Sequence, residues 1–192
     1  VGDEFCLENE CFNVIKDNGT TVDALAKQNV NTETNRQDSN ANRLAFATPD
    51  ETKRIPGCTN TYGCHYGYWT DSSGKLLSKY GTKYPVNAFD SNSLLYEPVQ
   101  NYKTYLKNTL GKTSIDARLI TYEELIGLGC SRMTCKSSPS WVYSTNYWTA
   151  SANEGLTVRN VFSNGIVGDD SPFDSPGLWG LRPVITIKKS EL

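Results

Sequence analysis

The stretch from Trp141 to Ile187 most limits what this chain can fold into. It holds Trp141-Val142-Tyr143, Tyr147-Trp148-Thr149-Ala150-Ser151-Ala152, Val158-Arg159-Asn160-Val161-Phe162 and a closing Arg182-Pro183-Val184-Ile185-Thr186-Ile187. Short β-prone runs alternate with polar turns rich in Gly and Asp, the pattern of strands on a half-buried pleated surface. The turns carry Asn153, Glu154, Asp169, Asp170, Phe173 and Asp174, which no core requires. A stiff frame with free polar and aromatic groups on its loops is how recognition surfaces are built.

The cysteines fall as three close pairs, Cys6/Cys11, Cys58/Cys64 and Cys130/Cys135. Three local bridges are the simplest of the roughly 15 connectivities that six cysteines allow. Each would close a short loop and remove only about 2 kcal/mol of chain entropy, so the bridges shape loops more than they staple the fold. The competing reading is a metal site, but no Cys-x-x-Cys spacing occurs and His65 is the only histidine, whereas zinc asks for four placed ligands. Local bridges imply an oxidising, extracellular setting.

At 192 residues the chain suits one domain, 1–192, with net charge −2 and both signs dispersed, so no nucleic-acid footprint is expected. No apolar run is long enough to span a bilayer. The start, Val1-Gly2-Asp3-Glu4, carries no signal peptide, and we read the chain as a mature or trimmed ectodomain making no membrane contact of its own.

Residues 1–30 read as N-terminal strands: Phe5-Cys6-Leu7, Cys11 to Lys16, and Thr21 to Val30 with Val22, Ala24 and Ala26 on one face. Asn18-Gly19 predicts a type I′ hairpin turn between the last two; Asn18-Gly19-Thr20 also fits the glycosylation acceptor pattern, which the turn reading explains without sugar. From Asn31 to Asn42 the chain is nearly all polar and reads as an exposed loop. Tyr66, Tyr68 and Trp69 read as packing for a loop-rich region, and His65 as a plain loop residue. Residues 90–129 hold two helices. Asp90 to Leu110 carries Leu94, Leu95, Val99, Tyr102, Leu106 and Leu110 at helical spacing, with a kink or break expected at Pro98. The second helix begins at Thr121, where Thr121-x-x-Glu124 is a capping box. Strands, two helices, then strands over 141–187 make an α+β fold of antiparallel sheets.

The Tyr147-Trp148-x-x-Ser151-Ala152 run, Val158-x-x-Val161-x-Ser163-x-Gly165 and Gly180-Leu181-Arg182-Pro183-Val184-Ile185 together resemble the C-terminal half of bacterial and phage proteins with a C-type-lectin-like fold. The resemblance covers about Ile115 to Ile187. Within that superfamily the chain is most similar to the variable proteins of diversity-generating retroelements and to pilin-associated ectodomains, and it shares closing signatures with formylglycine-generating enzymes. This implies paired N- and C-terminal strands, an anchor helix preceding Val1, and a framework of Tyr147, Trp148, Ser151, Ala152, Gly165, Gly180, Arg182 and Pro183. It also implies a ligand-binding face of outward residues between them: Thr149, Asn153, Glu154, Thr157, Arg159, Asn160, Asp169, Asp170, Phe173, Asp174 and Trp179. Alternation supports part of this set, because Val158 and Val161 facing the core near a strand kink leave Arg159 and Asn160 outside. Phe173 and Trp179 are the natural aromatic anchors; the alternative for Trp179 is a core position under the final strand.

Catalytic chemistry is poorly represented. Every cysteine has a plausible partner, no nucleophile elbow, phosphate loop or dinucleotide fingerprint occurs, and no cysteine follows Cys135, where formylglycine-generating enzymes carry theirs. The expectation is a protein that is not an enzyme and needs no cofactor. Asp169, Asp170 and Asp174 form a weak calcium candidate, since calcium takes several oxygen ligands. The expected partner is a protein or glycan on another cell or surface; a pilin-like filament subunit is the structural alternative.

Overall fold

A computed structural model describes residues 1–60, 63–173 and 177–192. The described residues form an α+β architecture with two α-helices and three antiparallel sheets. The largest sheet has the order β1-β2-β3-β10-β6, built from β1 (Glu4–Leu7), β2 (Glu10–Asp17), β3 (Thr21–Ala26), β10 (Pro183–Lys188) and β6 (Asp116–Leu119). A small hairpin joins β4 (Val30–Asn31) to β5 (Arg36–Gln37) inside the polar segment expected to be loop. The third sheet orders β7 (Tyr147–Asn153), β8 (Thr157–Val161) and β9 (Val167–Asp170).

The N-terminal partner of the last strand is β3, with Ile185 opposite Ala24 and Ile187 opposite Val22. The strand β1 lies instead at the sheet margin, pinned to β2 by the bridge between the directly opposed Cys6 and Cys11. All three local disulfides form, Cys6–Cys11, Cys58–Cys64 and Cys130–Cys135. The β2–β3 turn is not type I′: Gly19 takes φ 84 but Asn18 keeps negative φ. The Asp17 carboxylate accepts from the Gly19 amide at 2.8 Å, and this side-chain closure replaces the second left-handed residue.

Strand alternation divides the core into two apolar clusters. Phe12, Val14, Val22, Ala24, Ala26, Ile185 and Ile187 pack with Val99, Tyr102 and Leu106 of α1 (Tyr96–Asn108). Ile15, Leu25 and Val184 point into the other cluster, with Leu125 of α2 (Tyr122–Gly127), Tyr147, Val161 and Val167. Helix α1 is shorter than its apolar spacing predicts. It starts at Tyr96, so Pro98 sits in the first turn, where its missing N–H costs nothing, and no kink is needed. Helix α2 carries the expected capping box: the Glu124 amide donates to Thr121 Oγ1 at 3.3 Å, and the Thr121 amide donates to Glu124 Oε2 at 2.9 Å. Glu124 also takes both arms of Arg118 at 2.6 and 2.8 Å, and Arg118 reaches Asp23 at 3.2 Å, tying α2 to β6 and β3.

Trp141-Val142-Tyr143 is a single 3₁₀ turn, Ser140–Tyr143, and not a strand. Pro139 leads into it and its carbonyl accepts from the Val142 amide at 3.0 Å, which closes the chain into a turn before it can extend. Among the described residues, no helix is long and apolar enough to cross a membrane.

Candidate functional site

The C-terminal region is held by one fully buried cation. Arg182 Nε donates to Ala26 O at 2.6 Å, Nη1 to Val142 O at 2.9 Å, and Nη2 to Trp141 O at 2.7 Å and Lys27 O at 3.3 Å. Its guanidinium lies 5.0 Å from the Tyr147 ring centre, and the Tyr147 hydroxyl donates to the same Val142 carbonyl at 2.7 Å. Burial lowers the pKa of Arg182 and pushes the Tyr147 hydroxyl up to about 12. Five donors in a planar fork suit a cluster of carbonyls that a lysine cannot span. The result is that the end of β3, the 141–143 turn and the start of β10 are fixed relative to one another.

A second clamp is built on Asn29. Its Nδ2 donates to Asn146 O at 2.9 Å and its Oδ1 accepts from Thr145 Oγ1 at 3.1 Å. Gly180 passes directly beneath, its amide bonded to Asn146 O and its carbonyl to the Trp148 amide. A Cβ at Gly180 would overlap the Asn29 side chain, so only glycine fits there. Val30 and Leu44 donate to Leu181 O and Trp179 O from the other side. Segment 179–181 is thus threaded between the 29–44 loop and the start of β7.

These clamps leave a polar groove. A cavity of about 220 Å³ is lined by Asn29, Asp38, Ser39, Ala41, Arg43, Ser144, Thr145, Asn146, Ser163, Leu178 and Gly180. It runs through Ser39, Ser144 and Thr145 into a neighbouring, more apolar cavity of about 350 Å³ lined also by Lys27, Gln28 and Trp141. Larger concavities lie elsewhere, one of about 630 Å³ lined by residues 71–82 alone and one of about 380 Å³ lined by Thr48, Asp50, Lys53, Tyr68, Leu77, Lys79 and Asn92. Convergence of distant segments is what distinguishes a built site from a crease in one loop. Among the charged groups, Lys27 pairs with Glu4 at 2.9 Å. Asp38 accepts from the Asn40 amide at 2.8 Å and from Asn31 at 3.5 Å. Exposed Arg43 has no ion-pair or side-chain hydrogen-bond partner among the described residues.

The residues expected to face outward divide. Glu154 and Asp169 are exposed, and Asn153, Thr157 and Asp170 are half-buried. They gather around the β7–β8 turn and β9, where Thr157 Oγ1 donates to Asp169 at 2.8 Å. Thr149, Arg159, Asn160, Phe173 and Trp179 are buried, which corrects the expectation for each. Thr149 Oγ1 donates to Arg159 O at 2.9 Å, in the irregular part of the β7–β8 pairing. Strand β8 is the middle one of its sheet, and Val158 and Val161 belong to different core clusters, so both of its faces are covered. Arg159 therefore lies under the Tyr122 ring at 4.1 Å and donates to Asn153 at 2.9 Å. Asn160, opposite Trp148 and Gly168, has neither amide atom hydrogen-bonded. Phe173 meets His65 edge-on at 5.7 Å, and Trp179 packs against Trp148 at 4.8 Å and Phe162 at 5.4 Å. Trp179 takes its core alternative.

Asp169 and Asp170 are consecutive in β9, so their carboxylates leave opposite faces of the strand and do not converge on one ion. Asp174 lies outside the described residues. Among those described, Glu4, Cys6 and Cys11 form the one group with metal-like spacing, and both sulfurs there are in a disulfide. All six cysteines are bridged, which removes a free thiolate as a nucleophile. His65 is buried, with Nε2 on Glu51 at 3.0 Å and Nδ1 unpartnered, so among the described residues no nucleophilic hydroxyl is bound to its ring.

The groove residues Asn29, Ser39, Arg43, Ser144, Thr145, Asn146, Ser163 and Leu178 were not singled out by sequence reasoning. The polar run 31–42 signalled an exposed loop, but nothing in it signalled which surface it would face. Comparison with protein-family models, curated proteins and solved structures finds no match.

Proposed function

We propose that this chain is a non-enzymatic, extracellular, surface-displayed binding domain of C-type-lectin-like fold, and that its ligand face is the groove between the 38–43 loop and the C-terminal turns. The observation that carries the reading is a division of labour. Arg182, Asn29 and Gly180 fix the walls through buried or close-packed contacts, while Ser39, Arg43 and Ser163 line the groove from exposed positions the fold does not need. Such a site tolerates replacement of these exposed lining residues without loss of the frame, as a diversified variable protein requires. The three disulfides suit an oxidising, extracellular compartment.

The test is Ser39→Trp. Ser39 is exposed and shared by both halves of the groove, so the indole fills the site and leaves both clamps intact. Binding of the labelled chain to a panel of cell surfaces and immobilised glycans should be saturable and lost in this variant, with thermal stability unchanged. Saturable binding that survives the substitution would place the ligand face elsewhere.

The filament-subunit reading has one observation in its favour, the free edge of β1 at the margin of the large sheet. Concentration-dependent assembly, abolished by a proline at Phe5, is its signature.

A further inference from the structure

Two side chains, one in each half of the groove, have no hydrogen-bond or ion-pair partner for their own polar atoms among the described residues. Arg43 is exposed at the polar end with no carboxylate or carbonyl bound to it among the described residues. Trp141 is half-buried at the other end, where the cavity is more apolar; part of the residue packs on the Val142–Tyr147 cluster. Between them the wall is made of hydroxyls from Ser39, Ser144 and Thr145.

We infer that this groove binds an acidic saccharide, with Arg43 taking the carboxylate and Trp141 taking the apolar face of a sugar ring; the inference rests on the groove being the ligand site. Each part of the wall matches one part of such a ligand. A guanidinium receives a carboxylate through two parallel N–H···O bonds, a geometry that a hydroxymethyl group cannot exploit. The C–H face of a pyranose is flat and apolar and lies on an indole, whose large ring is both apolar and tolerant of a wet edge. Ser144 and Thr145, whose hydroxyl protons go to Trp141 O or Lys27 O and to Asn29, are left to accept, which suits a ligand whose own groups are donating hydroxyls. A peptide partner would call instead for a pocket walled by several apolar side chains to take an anchor, and Trp141 is the one apolar side chain lining the more apolar half. The one carboxylate on the wall, Asp38, is engaged by the Asn40 amide and Asn31, and Lys27 is held by Glu4. Arg43 is thus the groove's cation that is left for an anion.

The experiment compares pairs of probes that differ in one group: methyl β-glucuronide with methyl β-glucoside, methyl β-galacturonide with methyl β-galactoside, and sialyllactose with lactose. Each is titrated into the isotopically labelled chain, following the Trp141 indole N–H and the amides of residues 39–43 and 144–146. At least one acidic probe should bind saturably at these residues about tenfold more tightly than its neutral partner, a preference that falls with added salt. Arg43→Ala should reduce the acidic probe to the affinity of the neutral one, and Arg43→Lys should restore part of the difference. Because Arg43 is exposed and unpartnered, these variants keep wild-type stability. Equal binding of acid and neutral sugars would overturn the role of Arg43, and saturation of none of the six probes would overturn the saccharide inference. Neither result touches the groove reading, which stands or falls on Ser39→Trp.

Discussion

Replacing Arg182 by methionine tests how the C-terminal frame is held. Four carbonyls receive the guanidinium, on Ala26, Lys27, Trp141 and Val142. After the substitution Val142 O keeps the Tyr147 hydroxyl at 2.7 Å. Trp141 O and Lys27 O share one remaining side-chain donor, Ser144 Oγ, at 3.2 and 3.3 Å, and it can serve only one of them. Ala26 O and one of those two are therefore stranded. A buried polar group left unsatisfied costs about 1–3 kcal/mol, which gives about 2–6 kcal/mol for the pair. Removing a buried cation relieves its desolvation and offsets part of this, so a net loss of about 3 kcal/mol is expected. For a domain of this size that lowers Tm by about 6–12 °C. Urea unfolding followed by tryptophan fluorescence should show a lower midpoint at unchanged slope, and Arg182→Lys should fall between the two because one ammonium cannot reach every acceptor. A methionine variant within about 0.5 kcal/mol of wild type would show that the carbonyl cluster is not what fixes the frame.

Glu10 is buried against Tyr102 and the Gln37 amide, and burial, the largest influence on it, raises its pKa above 4.5 against the opposing pull of those hydrogen bonds. The folded chain therefore holds this proton more tightly than the unfolded chain. The group's contribution to stability is full below about pH 4.5 and is lost as pH rises through the raised value. Glu10→Gln keeps an acceptor and removes the ionisation, so melting temperatures between pH 4 and pH 8 should show wild type losing ground to the variant as pH rises; the opposite slope would refute the assignment. Serine at both Cys130 and Cys135 should lower stability by about 2 kcal/mol in denaturant titration, and thiol labelling of the unfolded wild-type chain should find no free cysteine. Gly180→Ala drives a methyl group into Asn29 and breaks its bond to Asn146. A loss of about 1–3 kcal/mol is expected, with amide shifts confined to residues 28–30 and 144–148.

What the sequence determined by itself was local. The three disulfides, the capping box at Thr121 and the alternation of Val22, Ala24 and Ala26 all follow from spacings of a few residues. Short-range geometry sets these outcomes, so they are legible without the fold. The strand Thr157–Val161 shows where that legibility ends. Alternation correctly assigned Val158 and Val161 to the core, yet Arg159 and Asn160 are also buried, because α2 covers one side and β7 and β9 flank the strand. Whether a polar residue beside a core residue meets water depends on what packs over the second face, and that element lies far away in sequence. The groove is the same lesson in reverse. Arg43, Thr145 and Ser163 read as ordinary loop residues, and Asn29 as part of a strand, until Arg182 and Gly180 bring the end of β3, the 141–146 segment and the 178–181 segment together. Only tertiary structure decides such a site, because its walls come from segments that no local rule relates to one another.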